Sequence, residues 1–242
     1  MKELALEIIS NKEIFNGVYL MDVRCPIVFA PGEFVSFKVE GYTLRRPISV
    51  HDCFNGVASF VYRVVGDGTN QMTKLVEGDT INTILPLGNT FNLNKSKKPL
   101  LVGGGMGIAP LKNLARAFNL IGVKPKVLLC GRNKSEVEWF INDIEKFADV
   151  FVATDDGSLG FHGRADTVFK QINADIDYYY CCGPTPMMKA IAISNPNGEL
   201  SLEARMGCGF GACMGCSIKT TNGYKRVCKE GPIFNAGEVI FE

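Results

Sequence analysis

Between residues 1 and 94 the apolar positions come in short bursts separated by turn residues. Segments 4–9, 17–23, 33–39, 44–50, 57–65 and 80–85 are of β type, and Cys25-Pro26, Pro31-Gly32, Asn55-Gly56 and Glu77-Gly78-Asp79 break the chain between them. Short strands this closely spaced predict a small antiparallel barrel, with one helix at 69–76. The charged stretch Asn94-Lys-Ser-Lys-Lys-Pro99 reads as a linker, and the period changes after it. Strands at 99–102, 126–130, 150–153 and 178–182 alternate with helical stretches at 108–121, 135–147, 165–172 and 186–193. Leu111, Leu114, Ala115 and Phe118 share one face of the first helix, and Ser135 with Glu138 three positions later spells a capping box. That alternation predicts a doubly wound parallel sheet. From 206 to 232 glycines crowd among four cysteines, too densely for regular structure, so a metal-supported loop is expected. The expected fold is therefore β plus α/β: a barrel over 1–94, an α/β domain over 99–205 and a cysteine-rich segment over 206–242.

Composition narrows the function. Lys+Arg 26 against Asp+Glu 25 leaves a net charge of +1, which argues against a nucleic-acid binder with its basic excess. Apolar runs such as 60–65, interrupted by Arg63, and 127–130 are far short of the ~20 residues that cross a bilayer. Glu3 and Glu7 lie where a signal peptide would need an apolar core, so a cytoplasmic location is expected. Nine cysteines are an odd number in a chain too long to need disulfide staples. Cys25, Cys53, Cys130, Cys181 and Cys182 are scattered in or near apolar strands and read as small core residues.

The remaining four carry the strongest chemical signal. Cys208, Cys213 and Cys216 follow a Cys-x4-Cys-x2-Cys pattern, with Cys228 beyond, which is the spacing of a plant-type 2Fe–2S cluster. The intervening glycines can turn tightly and aim backbone N–H groups at sulfur. Structural zinc is the alternative, although zinc ribbons usually present two Cys-x2-Cys pairs and this segment has one. A second signal is the glycine-rich turn Gly103-Gly-Gly-Met-Gly-Ile-Ala-Pro110 from strand into helix, where a pyrophosphate can approach the backbone. Cys182-Gly-Pro-Thr-Pro186 forms a similar junction, and both belong at the carboxyl ends of parallel strands, where ligands bind. A third is Arg45-Arg46-Pro47-Ile48-Ser49, followed by Val61-Tyr62-Arg63 and Gly66-Asp67-Gly68-Thr69. Two adjacent arginines alone describe a solvated face; before a glycine-threonine turn into a helix they favour a phosphate site.

Arg-Pro-Ile-Ser on a barrel, then Gly-Gly-Gly-Met-Gly-Ile-Ala-Pro, then Cys-Gly-Pro resembles the ferredoxin-reductase family of flavin and nicotinamide proteins. With Thr154-Asp-Asp-Gly-Ser158, Glu203-Ala-Arg-Met-Gly-Cys208 and Gly231-Pro232 added, the whole chain looks like the electron-transfer subunits of NAD-dependent dihydroorotate dehydrogenases. The resemblance implies FAD on Arg46, Pro47, Ile48, Ser49, Val61, Tyr62, Arg63, Gly68 and Thr69. It implies NAD across Gly104, Gly105, Met106, Gly107, Cys182, Gly183 and Pro184, and cluster ligation by Cys208, Cys213, Cys216 and Cys228. It also implies an FMN-containing catalytic subunit as partner, two of each in a heterotetramer, with electrons passing through cluster and FAD to NAD+ in pyrimidine biosynthesis. Two departures, the short Cys216-to-Cys228 spacing and Met214-Gly215 inside the last pair, bear on how exposed the cluster is. No His arrangement suggests a protein acid or base, and His51 and His162 are expected to be surface or hydrogen-bonded residues. Arg132 and Lys134 could attract a 2′-phosphate or simply form a solvated loop, which leaves NAD against NADP open. The rival functions are a flavin and iron–sulfur subunit of another assembly, such as a hydrogenase, a sulfide dehydrogenase or an NADH-dependent ferredoxin oxidoreductase, and a zinc-stabilised nucleotide-binding module.

Overall fold

The computed structural model describes residues 1–172 and 175–241. Strands β1 (Lys2–Phe15), β2 (Val18–Arg24), β3 (Phe34–Phe37), β4 (Arg46–Ser49), β5 (Asp52–Phe54), β6 (Val57–Arg63) and β7 (Thr80–Leu87) form one antiparallel sheet in the order β4-β3-β7-β1-β2-β6-β5. Asn16-Gly17 and Asn55-Gly56 take the positive φ angles, 33° and 73° then 50° and 77°, that two-residue hairpins need. β5 is a strand the sequence pattern missed, and it explains how the sheet curls. Val50 N donates to Glu33 O beside β3 and His51 N donates to Ser59 O on β6, at 3.2 and 2.9 Å. Two consecutive residues thus join the opposite ends of the sheet into a barrel. Its interior holds Leu6, Ile8, Met21, Val23, Phe37, Phe60 and Tyr62, with Met72 of helix α1 (Asp67–Met72) packed among them.

The second sheet contains β8 (Pro99–Gly104), β9 (Lys126–Gly131), β10 (Asp149–Thr154), β11 (Phe161–His162), β12 (Tyr178–Cys182) and β13 (Gly198–Ser201), all parallel. Helices α2 (Leu111–Leu120), α3 (Glu138–Ile144), α4 (Ala165–Ile172) and α5 (Thr185–Ser194) alternate with these strands. Side chains alternate across the sheet. Leu101, Val127, Leu129, Tyr178 and Tyr180 pack with Leu114 and Phe118 of α2 and Phe140 of α3, whereas Leu100, Val102, Leu128, Cys130, Tyr179 and Cys181 pack with Phe169 of α4 and Met188 of α5. That two-sided burial is why these strands read as continuous apolar runs. Beyond β13 the chain makes a hairpin, β14 (Ser217–Thr220) and β15 (Gly223–Arg226), and returns as β16 (Ile233–Asn235). β16 pairs antiparallel with β13, so the order is β11-β10-β9-β8-β12-β13-β16.

Two expectations are corrected. Segment 206–232 is not all loop, since its glycines admit a hairpin between the last two cysteines. Ser135 does not cap a helix: its hydroxyl donates to Asn133 Oδ1 at 2.7 Å, and α3 starts at Glu138 after a short 3-10 turn. The stretch 94–99, which runs between the two sheets, is held in place by hydrogen bonds. Ser96 is buried and donates to Asp177, and the N–H groups of Lys97 and Lys98 reach the same carboxylate at 2.9 and 3.1 Å. Burial pushes that carboxyl up, but these hydrogen bonds outweigh it and hold it below its ordinary range.

Barrel and parallel sheet meet along a polar seam. His51 is fully buried, Asp143 of α3 lies against its ring, and Lys112 and Arg116 of α2 pair with Asp52 at 3.4 and 2.7 Å. Lys112 also reaches Asp143. His51 is thus the hydrogen-bonded residue expected, in a joint between elements far apart in sequence, while His162 is exposed. Among the described residues no helix is long and apolar enough to cross a membrane.

Candidate functional site

A cleft of about 260 Å³ opens between the two sheets. Pro47, Ile48 and Ser49 of β4 and Val61, Tyr62 and Arg63 of β6 form its barrel wall. Met106, Ala109 and Cys182 from the glycine-rich turns, Ser201 at the end of β13 and Leu202, Glu203, Ala204 and Met206 beyond it form the other. Six residues named from the Arg-Pro-Ile-Ser and Val-Tyr-Arg runs therefore share one surface. Tyr62 is locked there, its buried hydroxyl donating to Asn11 Oδ1 at 3.0 Å, and burial keeps the phenol neutral. The sequence motifs give the stretch 201–206 no role of its own in this wall, although Glu203-Ala-Arg-Met leads towards Cys208. Glu203 opens onto the cleft while protein encloses its other sides, and that desolvation raises its carboxyl. Burial, with Glu203 nearby, pushes the Cys182 thiol up to about 12.

Arg46 stands outside this cleft with its guanidinium over the Tyr42 ring, 5.1 Å from the centroid, and against the backbone of Gly68. A Cβ on Gly68 would fall 2.0 Å from Arg46 Nη2, so the glycine is what lets the guanidinium lie at the start of α1. Thr69 builds that turn: Oγ1 accepts from the N–H groups of Val65 and Gly66 at 2.9 and 3.2 Å and donates to Gly66 O at 2.9 Å.

A second cleft, about 500 Å³, lies at the carboxyl ends of β8, β9 and β10. Gly104, Gly105, Met106 and Pro184 line it, with Arg132, Glu136 and Asp155 at its far side. Gly107 and Gly183 stand behind it and allow close packing. A Cβ on Gly107 would meet the Cys182 carbonyl carbon and oxygen at 2.4 Å, and one on Gly183 would meet Gly104 N at 3.0 Å. Arg63 lines both clefts, and its Nε is buried with no hydrogen-bond partner among the described residues. Arg132 is not a free cation. Its Nε donates to Glu136 Oε1 at 2.9 Å and its backbone N–H to Oε2 at 2.9 Å.

The four clustered cysteines are free thiols in two pairs. Cys208 N–H points at Cys213 Sγ at 3.4 Å, and Cys208 Sγ accepts from the N–H groups of Ala212 and Cys213 at 3.2 and 3.4 Å. Cys228 N–H points at Cys216 Sγ at 3.4 Å, because the β14–β15 hairpin folds the short spacing back on itself. Burial pushes the Cys208 thiol up, but the backbone N–H groups of Phe210, Cys213 and Ala212, together with the Cys213 thiol, outweigh it and bring it down to about 6. Cys213 is exposed, whereas Cys216 and Cys228 are buried. Among the described residues no three His, Cys, Asp or Glu side chains gather around one point. Two thiol pairs suit a two-iron core, which needs two thiolates per iron, better than a single zinc ion, which needs its ligands around one centre. The other cysteines differ: Cys25, Cys130, Cys181 and Cys182 are buried, and desolvation pushes the Cys130 thiol up to about 12.

The orphaned Arg63 Nε, the Arg46 fork over Gly68 and the apolar cleft fit a flavin with a phosphate tail, and the thiol pairs fit a 2Fe–2S cluster. Barrel, parallel sheet and cysteine loop together define a ferredoxin-reductase-like protein with an appended iron–sulfur segment. Phthalate dioxygenase reductase shares the fold, with a TM-score of 0.69 at 18% identity, covering 90% of this chain and 87% of that one. The solved NADH-dependent reduced ferredoxin-NADP oxidoreductase is nearer, with a TM-score of 0.87 at 30% identity over 98% of this chain and 90% of that one. Residues 203–240 match the iron-sulfur cluster binding domain of dihydroorotate dehydrogenase B. The dihydroorotate dehydrogenase B (NAD+) electron transfer subunit of Fusobacterium nucleatum subsp. nucleatum is 37% identical, covering 96% of both chains, and that of Bacillus caldolyticus is 41% identical over 87% of this chain and 86% of its own. The chain belongs to the family of dihydroorotate dehydrogenase B (NAD+) electron transfer subunits.

Proposed function

We propose that this chain takes electrons from an FMN-containing dihydroorotate dehydrogenase subunit and delivers them to NAD+, by way of a 2Fe–2S cluster on Cys208, Cys213, Cys216 and Cys228 and an FAD in the first cleft. One observation carries the reading: the wall of that cleft, Ser201 to Met206, runs directly into Cys208. When bound, a flavin supplies the conversion between two-electron nicotinamide chemistry and the one-electron steps of an iron–sulfur centre.

The chain's own residues bind and orient. Pro47, Ile48, Val61 and Tyr62 offer a flat, largely apolar surface that excludes water from a stacked ring, and Ser49 offers a hydroxyl at its edge. Arg46 over Gly68 and the Thr69 turn would hold the diphosphate. Gly104, Gly105, Met106 and Pro184 would line the NAD diphosphate, with Gly107 and Gly183 packing the two turns and Cys182 in the wall of the first cleft. Arg63, facing both clefts, suits the phosphates of either nucleotide. Hydride transfer needs orientation and exclusion of water, so no residue is assigned as a proton donor or acceptor. In this reading residues 1–94 hold FAD, 99–205 hold NAD and 206–242 hold the cluster, with 173, 174 and 242 lying outside the described residues. The assembly is a cytoplasmic heterotetramer with two of each subunit.

The purified chain should carry FAD and two irons yet fail to oxidise dihydroorotate, and adding the catalytic subunit should restore NAD+ reduction. Oxidation of dihydroorotate by the chain alone with an artificial acceptor would sink the reading. A second reading, a subunit of another flavin-dependent complex, draws on the 30% identity with the ferredoxin-NADP oxidoreductase. Purification from the native host separates the two by which partner accompanies the chain.

A further inference from the structure

We infer that the Arg226–Glu230 ion pair joins the two thiol pairs and, through the orientation of its charges, sets the reduction potential of the cluster they hold; this rests on the 2Fe–2S reading above. Arg226 ends β15, two residues before Cys228. Its carbonyl accepts from the N–H groups of Lys229, Glu230 and Gly231 at 3.1, 3.0 and 3.3 Å, closing the turn that carries Cys228. Its side chain reaches the other way. Nη1 donates to the carbonyl of Gly211 at 2.5 Å, in the loop between Cys208 and Cys213.

Glu230 fixes the plane of the guanidinium. Oε2 accepts from Arg226 Nε at 3.0 Å and from its backbone N–H at 2.7 Å, and Oε1 accepts from Nη2. The Gly211 loop is pressed onto this turn: at φ +94°, a Cβ there would lie 2.5 Å from Lys229 Cδ. The cationic edge of the pair is therefore bonded to the loop between the first two cysteines, while the carboxylate sits on the guanidinium's other edges. Roughly a quarter of the arginine side chain and a third of the glutamate are exposed, 24% and 34%, so water screens the charges only in part. A reduced cluster carries one more negative charge than an oxidised one, so a nearby cation favours reduction and a nearby anion opposes it.

The test is a redox titration of the cofactor-loaded chain, followed by the electron paramagnetic resonance signal of the reduced cluster. Arg226→Gln, which leaves the carboxylate unpaired, should lower the midpoint potential, and Glu230→Gln, which unmasks the guanidinium, should raise it. Arg226→Lys keeps the charge but loses the fork; it should stay nearer the native potential and release iron to a chelator faster than the native chain. Shifts of the same sign in the two Gln variants, or no shift in either, would overturn the inference, since a purely structural clamp predicts no opposition of sign. If Arg226→Gln holds no iron, the upward shift in Glu230→Gln decides alone. Absence of any 2Fe–2S signal in the native chain would instead defeat the reading of the cysteines.

Discussion

Nε2 of His51 lies 2.9 Å from Oδ2 of Asp143, while Nδ1 of the same ring lies 2.6 Å from the Ala109 carbonyl. One imidazole two residues past Ser49 thus touches both α3 and the turn that leads out of the glycine loop. Burial pushes the Asp143 carboxyl up, but His51 and Lys112 outweigh it and hold it below its ordinary range. A carboxyl depressed in the folded state stabilises the fold above the ordinary carboxylate pKa, and that contribution disappears as pH falls through the folded value. Asp143→Asn should therefore cost about 3 kcal/mol near neutral pH and progressively less in acid. Urea unfolding of both proteins at about pH 7 and about pH 3 measures this, and an equal gap at both would refute it.

Gly68→Ala should separate stability from flavin affinity. The atoms nearest the new methyl belong to the flexible end of Arg46, which can swing away, so the melting temperature without flavin should hardly move. Displacing the guanidinium removes a charge-assisted hydrogen bond of about 1.5–3 kcal/mol, so calorimetry should show FAD binding at least about tenfold weaker. Arg46→Ala should lose a similar amount.

Gly107→Ala should behave differently, because its methyl would strike the Cys182 carbonyl and Gly183 N, backbone atoms that cannot rotate aside. A destabilisation of about 1–3 kcal/mol and a raised KM for NAD(H) are expected. Gly105→Ala is the control: nothing lies within 4 Å of its Cβ position, and only its φ of +54° resists, at about 1–2 kcal/mol.

Iron content distinguishes the two groups of cysteines. Cys213→Ser should lose cluster iron, whereas Cys130→Ala, buried in the wall of the second cleft, should keep it and lose packing energy. Equal losses in the two variants would show that the four-and-five division is wrong.

Glu136→Gln should loosen Arg132, whose guanidinium is held by that carboxylate beside the second cleft. The freed cation should lower the KM for NADP+ relative to NAD+, and steady-state rates with both cofactors report the ratio.

The features legible in the sequence were those whose chemistry is local. Arg46 to Ser49, Gly104 to Gly107 and Cys182 to Pro184 each needed a few neighbouring residues to announce a strand end or a tight turn. The four-cysteine pattern also carried its own spacing. Continuous apolar runs marked β8, β9 and β12 well because both faces are buried. β5, β11, β13 and β16 escaped, since strands of two to four residues give no period to read. The Ser135–Glu138 pattern misled because Asn133 takes the serine hydroxyl and Glu136 takes Arg132, local bonds that compete with the cap. Glu203 gained its place in the cleft from a tertiary return beside β12 that no local pattern records.

Ser201 pairs with Ile233, and Leu202 N–H donates to Pro232 O at 2.9 Å, so the chain leaves the parallel sheet and re-enters it at the same point. These backbone bonds close the base of the cysteine excursion. Stripping the iron should therefore leave its mouth shut, and rebuilding the centre becomes a search over one short tethered loop, with the entropy of closing that loop already met by the β13–β16 pair.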